Sequence, residues 1–213
     1  MQKTSIDWPW KPLWTWNPAI GCKHNCSHNG KNYCYARAMN TRFKWIKKWM
    51  EPVFFEDRLQ EPRTKKKHCN IFVGSMCDLF GDWVPHLWIS RVLRVVEQNP
   101  QHTFIFLTKN PRRYRDFDIP QNCYLGMTVT NGRDVENKIH HFLTIDSRTF
   151  LSIEPLLGGF EDGVPQGVGL VIVGAMTGPG AVKPKREWIE SIKHPNIYFK
   201  AHKKLGPEWW RNL

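Results

Sequence analysis

No uninterrupted apolar run in this sequence approaches the roughly 20 residues that a membrane-spanning helix requires, so no membrane segment is expected. No secretory leader is expected either, since MQKTSIDWPWKPLW carries charges and tryptophans where an unbroken apolar stretch would stand. These two absences predict a cytoplasmic protein, in which the six cysteines stay reduced and suit a metal or catalytic site better than disulfides. Acidic residues are scarce, 19 against 31 Lys and Arg. The resulting charge of +12 implies either a polyanionic partner or a device for solubility. The dinucleotide fingerprint and the phosphate-loop lysine pattern are also absent, so Gly174, Gly178 and Gly180 read as a tight turn. A length of 213 residues with 41% apolar content predicts one domain spanning 1–213.

What is present is concentrated. The stretch GCKHNCSHNGKNYCYAR, residues 21–37, holds Cys22, Cys26 and Cys34 together with His24 and His28. Structural zinc normally closes its tetrahedron with four side chains, whereas a three-thiolate iron–sulfur cluster leaves one iron open to an exogenous ligand. Taken alone, the stretch allows a zinc knuckle completed by His24 or His28, a site-differentiated 4Fe-4S cluster, or inert thiols. Cys69, Cys77 and Cys123 read as buried thiols. Of these, Cys77 lies near enough to a strand end to reach a site and donate a hydrogen atom.

A basic aromatic segment follows at about 41–68. From Arg37 to Lys67 ten Lys or Arg face Glu51, Glu56, Asp57 and Glu61. Arg42, Lys44, Lys47 and Lys48 would neutralise phosphates, while Trp45 and Trp49 among them would stack on bases. The alternative is a helix with its aromatic side toward the core, since Phe43, Ile46 and Met50 share helical spacing.

Farther along, apolar runs alternate with helical stretches. Strands are expected at 14–17, 70–75, 103–108, 123–129, 149–153, 169–174 and 197–200, with helices near 85–98, 111–117, 134–143 and 186–193. That rhythm predicts an α/β fold, a partial or open βα barrel of about six parallel strands with helices outside. Reactive groups of such folds sit at the carboxyl ends of strands. There the sequence places Ser75 and Asp78, Thr108 and Lys109, Thr128 and Asn131, Glu154, and Gly174. Duller roles are available to several of them: Asp78 as a turn cap, Glu154 in an ion pair with a barrel lysine, Lys109 as the partner of a buried acid.

The spacing Cys22-x3-Cys26, with Tyr33 immediately before Cys34, resembles the radical S-adenosylmethionine superfamily. The ending YCYAR is similar to members related to spore photoproduct lyase. WTWNPAIGC, SMCDLF, HTFIFLTKNP, SIEPLLG, VIVGAMTGPGA and YFK resemble a phage and prokaryotic branch of that superfamily, in order, over nearly the whole chain after about residue 14. The resemblance implies a 4Fe-4S cluster on Cys22, Cys26 and Cys34, with S-adenosylmethionine chelating the fourth iron. It further implies an external electron donor, a 5'-deoxyadenosyl radical, and a prokaryotic or phage-infected cell. Tyr33 would pack on the adenine, Ser75 and Asp78 would hold the amino group, and Lys109 or Glu154 the carboxylate or ribose. Thr108, Thr128 and Gly174 complete the implied cofactor pocket. The resemblance implies no substrate; the basic aromatic segment points to nucleic acid, and the alternatives are a peptide or small-molecule substrate, a zinc-stabilised nucleic-acid-binding module, or a non-catalytic interaction protein that keeps the fold. Two departures stand out. Seven residues separate Cys26 from Cys34 where the superfamily usually has two, so Ser27 to Asn32 reads as an insertion. Met176 occupies a position where the branch typically carries a glutamate.

Overall fold

The computed structural model describes residues 1–178, 180–202, 205–206 and 208–211. Its main sheet contains eight strands: β1 (Gln2–Lys3), β2 (Leu13–Trp16), β3 (Asn70–Val73), β4 (Thr103–Thr108), β5 (Cys123–Val129), β6 (Arg148–Ile153), β7 (Leu170–Val173) and β8 (Ile197–Phe199). Their order in space is their order in the chain. β2 through β8 run parallel, and β1 joins the edge antiparallel to β2. Parallel neighbours need crossovers, which is why helical segments separate most of these strands. They are α1 (Tyr35–Phe43), α2 (His86–Glu97), α3 (Gly132–Glu136), α4 (Ile139–Phe142) and α5 (Arg186–Glu190), with a 3-10 turn at Pro111–Asp116. β1 and β8 stand at opposite edges, so the sheet is open and the barrel is not closed.

Alternation along the strands separates two apolar layers. Ile71, Val73, Phe104, Phe106, Leu125, Met127, Leu151, Val171 and Val173 enter the larger core, which also takes Ile89, Val92, Leu93 and Val96 from α2. That 3-4 spacing gives α2 one apolar face, and burying each such side chain contributes about 1.5–3 kcal/mol. The opposite sheet face carries Leu13, Phe72, Ile105, Phe150 and Ile172. It is covered by an amino-terminal arm whose Ile6, Trp8 and Trp10 pack there. Trp8 meets the rings of Phe72 and Phe150 with centroids 4.5 and 5.6 Å apart. The arm fills this face toward the amino ends of the strands and leaves a hollow toward their carboxyl ends.

Several local expectations need correction. The helix expected over 134–143 is split into α3 and α4: Asn131 caps the first, accepting from the Asp134 N–H at 3.1 Å, and Lys138 (φ −127°) leaves helical geometry between them. The helix expected near 111–117 is the 3-10 turn. Helical spacing does not continue through 43–50, because α1 stops at Phe43 and Lys44 takes a left-handed conformation (φ 53°). Among the described residues, no helix is long and apolar enough to cross a membrane.

Candidate functional site

The insertion between Cys26 and Cys34 folds back on itself. Ser27–His28 pairs antiparallel with Lys31–Asn32. Asn29 (φ 49°) and Gly30 (φ 73°) form the turn, and two successive positive φ values are what a two-residue hairpin of matching twist requires. The Tyr33 N–H donates to the Cys26 carbonyl at 3.0 Å, so the extra residues are looped out and Tyr33 and Cys34 return beside Cys26. Lys31 lies over the glycine-rich loop after β7, where a Cβ at Gly180 would come within 2.9 Å of its side chain.

Cys22, Cys26 and Cys34 line one hollow of about 130 Å³, together with Cys77, Asp78 and Lys109. Cys34 caps the N-terminus of α1, its sulfur accepting from the Arg37 N–H at 3.4 Å. A hydrogen bond with Cys26 pulls its pKa down to about 6 against the opposing effect of burial, helped by the Arg37 and Ala36 amides and the Lys109 charge. The same contact, with burial, drives Cys26 upward. Burial pushes Cys22 up to about 11 and holds Cys77 well above its ordinary value. His24 is engaged elsewhere: its Nε2 lies 2.8 Å from Asp78 Oδ2, and its ring sits edge-on to Trp83. Among the described residues, no three Cys, His, Asp or Glu side chains form a group that would hold a metal ion as they stand.

A larger cavity of about 310 Å³ adjoins this hollow. Cys26, Cys34, Tyr35, Phe72, Leu107, Lys109 and Thr128 line both. Tyr33, Glu154, Met176 and Lys200 add to its wall. Glu154 is ion-paired with Lys200. Gly174 lies against that carboxylate, and a Cβ there would stand 3.1 Å from it. Two buried residues on the wall carry polar atoms with no hydrogen-bond partner, Ser152 Oγ and Trp8 Nε1.

The other sequence candidates serve the framework. Asp78 accepts from Thr108 Oγ1 at 2.6 Å, the Lys109 N–H at 2.9 Å and the Phe80 N–H at 3.3 Å, besides contacting His24. Those donors occupy its carboxylate, which ties the cysteine loop to the ends of β3 and β4. Ser75 donates to Asn17 Oδ1 at 3.1 Å, and its carbonyl accepts from the Tyr35 hydroxyl at 2.6 Å. Arg42, Lys44, Lys47 and Lys48 are exposed, as is Trp45 at 40%. Trp49, expected to share base stacking, is buried at 8% with Ile20, Cys22, Ala36, Ile46 and Met76. Its carbonyl accepts from the Cys22 N–H at 3.0 Å, so its ring and backbone brace the cysteine loop. Trp8, Ser152 and Lys200 were not among the site residues expected from the sequence. Ser152 opens the stretch SIEPLLG and Lys200 ends YFK, where Lys200 supplies the barrel lysine expected to pair with Glu154, whereas no motif marks Trp8; the arm and the inner strand faces bring all three to the cavity.

A model of the family described as "Protein of unknown function (DUF5131)" matches residues 3–201. No curated protein and no solved structure matches the chain.

Proposed function

The chain belongs to the DUF5131 family, and we propose that it is a radical S-adenosylmethionine enzyme on an open βα partial barrel, acting on nucleic acid with electrons from an external donor. One observation carries this reading. Three thiols from a single loop line a hollow that adjoins a cavity at the carboxyl ends of parallel strands. Cys26 and Cys34 are in hydrogen-bond contact and form no ligand group with Cys22 as they stand, so loading a cluster requires these two thiols to part. The cavity wall suits a polar organic ligand. A heterocycle with a zwitterionic tail offers partners to Lys109, Glu154 and Lys200.

Cys22, Cys26 and Cys34 would hold the cluster, leaving one iron for S-adenosylmethionine. When bound, the pair supplies one-electron cleavage of the sulfonium to methionine and a 5'-deoxyadenosyl radical. The chain's own residues bind and exclude. The hydrogen bond with Cys26 favours thiolate at Cys34, with smaller help from the Arg37 and Ala36 amides and Lys109, and burial shields Cys22 from water. Tyr33 offers a ring to the adenine, Thr128 and Lys109 face both hollows, and Glu154 is fixed by Lys200. Cys77, kept protonated by burial, is the candidate hydrogen-atom donor. Asp78 acts as a positioning residue, through His24 and the Lys109 amide.

The test is anaerobic incubation of dithionite-reduced, reconstituted protein with S-adenosylmethionine. The expected products are 5'-deoxyadenosine and methionine, with weakened cofactor binding in Glu154→Ala. Neither binding nor cleavage in protein with a loaded cluster would reject the reading.

A further inference from the structure

A groove of about 560 Å³ runs beside β1 and α1, lined by Lys3, Asn17, Tyr35, Met39, Trp45 and Arg58 among others. Tyr35 and Ile6 border both this groove and the inner cavity. The Tyr35 hydroxyl is fastened to the Ser75 carbonyl, so its half-exposed ring forms a wall between the two spaces. At the outer end, Phe43 and Trp45 stand 51% and 40% exposed. Their rings stack with centroids 5.1 Å apart and an interplanar angle of 22°. The left-handed Lys44 between them holds this arrangement, its N–H donating to the Asn40 carbonyl at 2.7 Å. Arg42 lies 5.1 Å over the Phe43 ring. Arg42, Lys44 and Lys47 take part in no ion pair among the described residues. Glu61, the acidic side chain lining the groove, is paired with the Met1 amino group.

We propose that this groove binds a single nucleic-acid strand, with a base stacked on the Phe43–Trp45 platform and the next nucleotides led toward the Tyr35 wall. An exposed aromatic pair set among unpaired cations matches a chain that alternates flat bases with phosphates. An acidic peptide would use the cations and leave the rings idle. A duplex hides its base faces, so the platform selects an unpaired strand or an extruded nucleotide. The inference rests on the nucleic-acid part of the proposed function, and strand binding itself needs no cluster.

The experiment is fluorescence anisotropy with a labelled single strand of about 12 nucleotides, DNA and RNA in turn, on the full chain with and without reconstituted iron and sulfide. Trp45→Ala should weaken binding by about 5- to 150-fold without changing the salt slope. Lys44→Ala combined with Lys47→Ala should reduce that slope by about 1.4, since each phosphate contact on a single strand contributes about 0.7. Unchanged unfolding midpoints in these surface variants would exclude misfolding. No strand binding at low salt, equal affinity for duplex, equal competition by polyglutamate, or wild-type behaviour of Trp45→Ala would each overturn the proposal. Strand binding by protein that never takes up iron would keep this inference while rejecting the cluster. A loaded cluster without strand binding would do the reverse.

Discussion

Trp45 and Trp49 lie four residues apart in the same basic segment and meet opposite surroundings. Trp45 shares its exposed face with Phe43. Trp49 packs on Cys22, Ile46 and Ala36 beneath the cysteine loop. Trp49→Ala should therefore cost about 3–5 kcal/mol of unfolding free energy, whereas Trp45→Ala should stay within about 0.5 kcal/mol. Urea unfolding of the two variants reads the difference directly, and equal losses would contradict the packing described. Composition could not separate these residues. Both stand among lysines, and the feature that divides them is the left-handed Lys44, a non-glycine residue in a conformation that nothing in the sequence announces. Asp78 was legible as a strand-end carboxylate, but its role depends on donors 30 or more residues away in sequence, Thr108, Lys109 and His24.

Among the elements, the hairpin at 27–32 turns an irregular cysteine spacing into a local detour. Its Asn29-Gly30 pair is a standard two-residue turn signal, yet in the sequence 27–32 reads only as an insertion. The amino-terminal arm was not readable, since a tryptophan-rich stretch without periodicity gives no sign of the sheet face it will cover. Asp7 fastens that arm. It accepts from Tyr198 Oη at 2.8 Å, the Ala201 N–H at 2.7 Å and Lys11 Nζ at 2.6 Å. Burial would raise its pKa, but the bonds from Lys11, Ala201 and Tyr198 together outweigh this and hold it below the ordinary carboxylate value. A carboxylate held down in the folded state contributes stability that is present above its unfolded pKa and is lost as pH falls through the folded one. Asp7→Asn should consequently destabilise by about 1 kcal/mol near neutrality and show a shallower loss of stability into acid. Thermal unfolding across pH 2–7 checks this, and parallel curves for variant and parent would refute the tether.

For the molecule as a whole, the parallel strands in sequential order were legible because each is an apolar run followed by a helical or turn segment with its own punctuation. Edge strand β1 was missed: two polar residues carry no strand signal and pair only because β2 offers an open edge. The site follows from the topology. Seven strands running the same way bring their carboxyl ends together, and there the cysteine loop, Lys109, Thr128, Glu154 and Lys200 surround adjoining hollows over a face already filled by the arm. The central claim is that these hollows are built around an iron–sulfur cluster with one open iron. It is tested most directly by iron, acid-labile sulfide and zinc analysis of the full chain purified and reconstituted without oxygen. The account predicts about four irons and four sulfides per chain, lost when Cys22, Cys26 or Cys34 is replaced by alanine and retained in Cys123→Ala. Stoichiometric zinc without sulfide, or a chain that takes up neither metal, would contradict it.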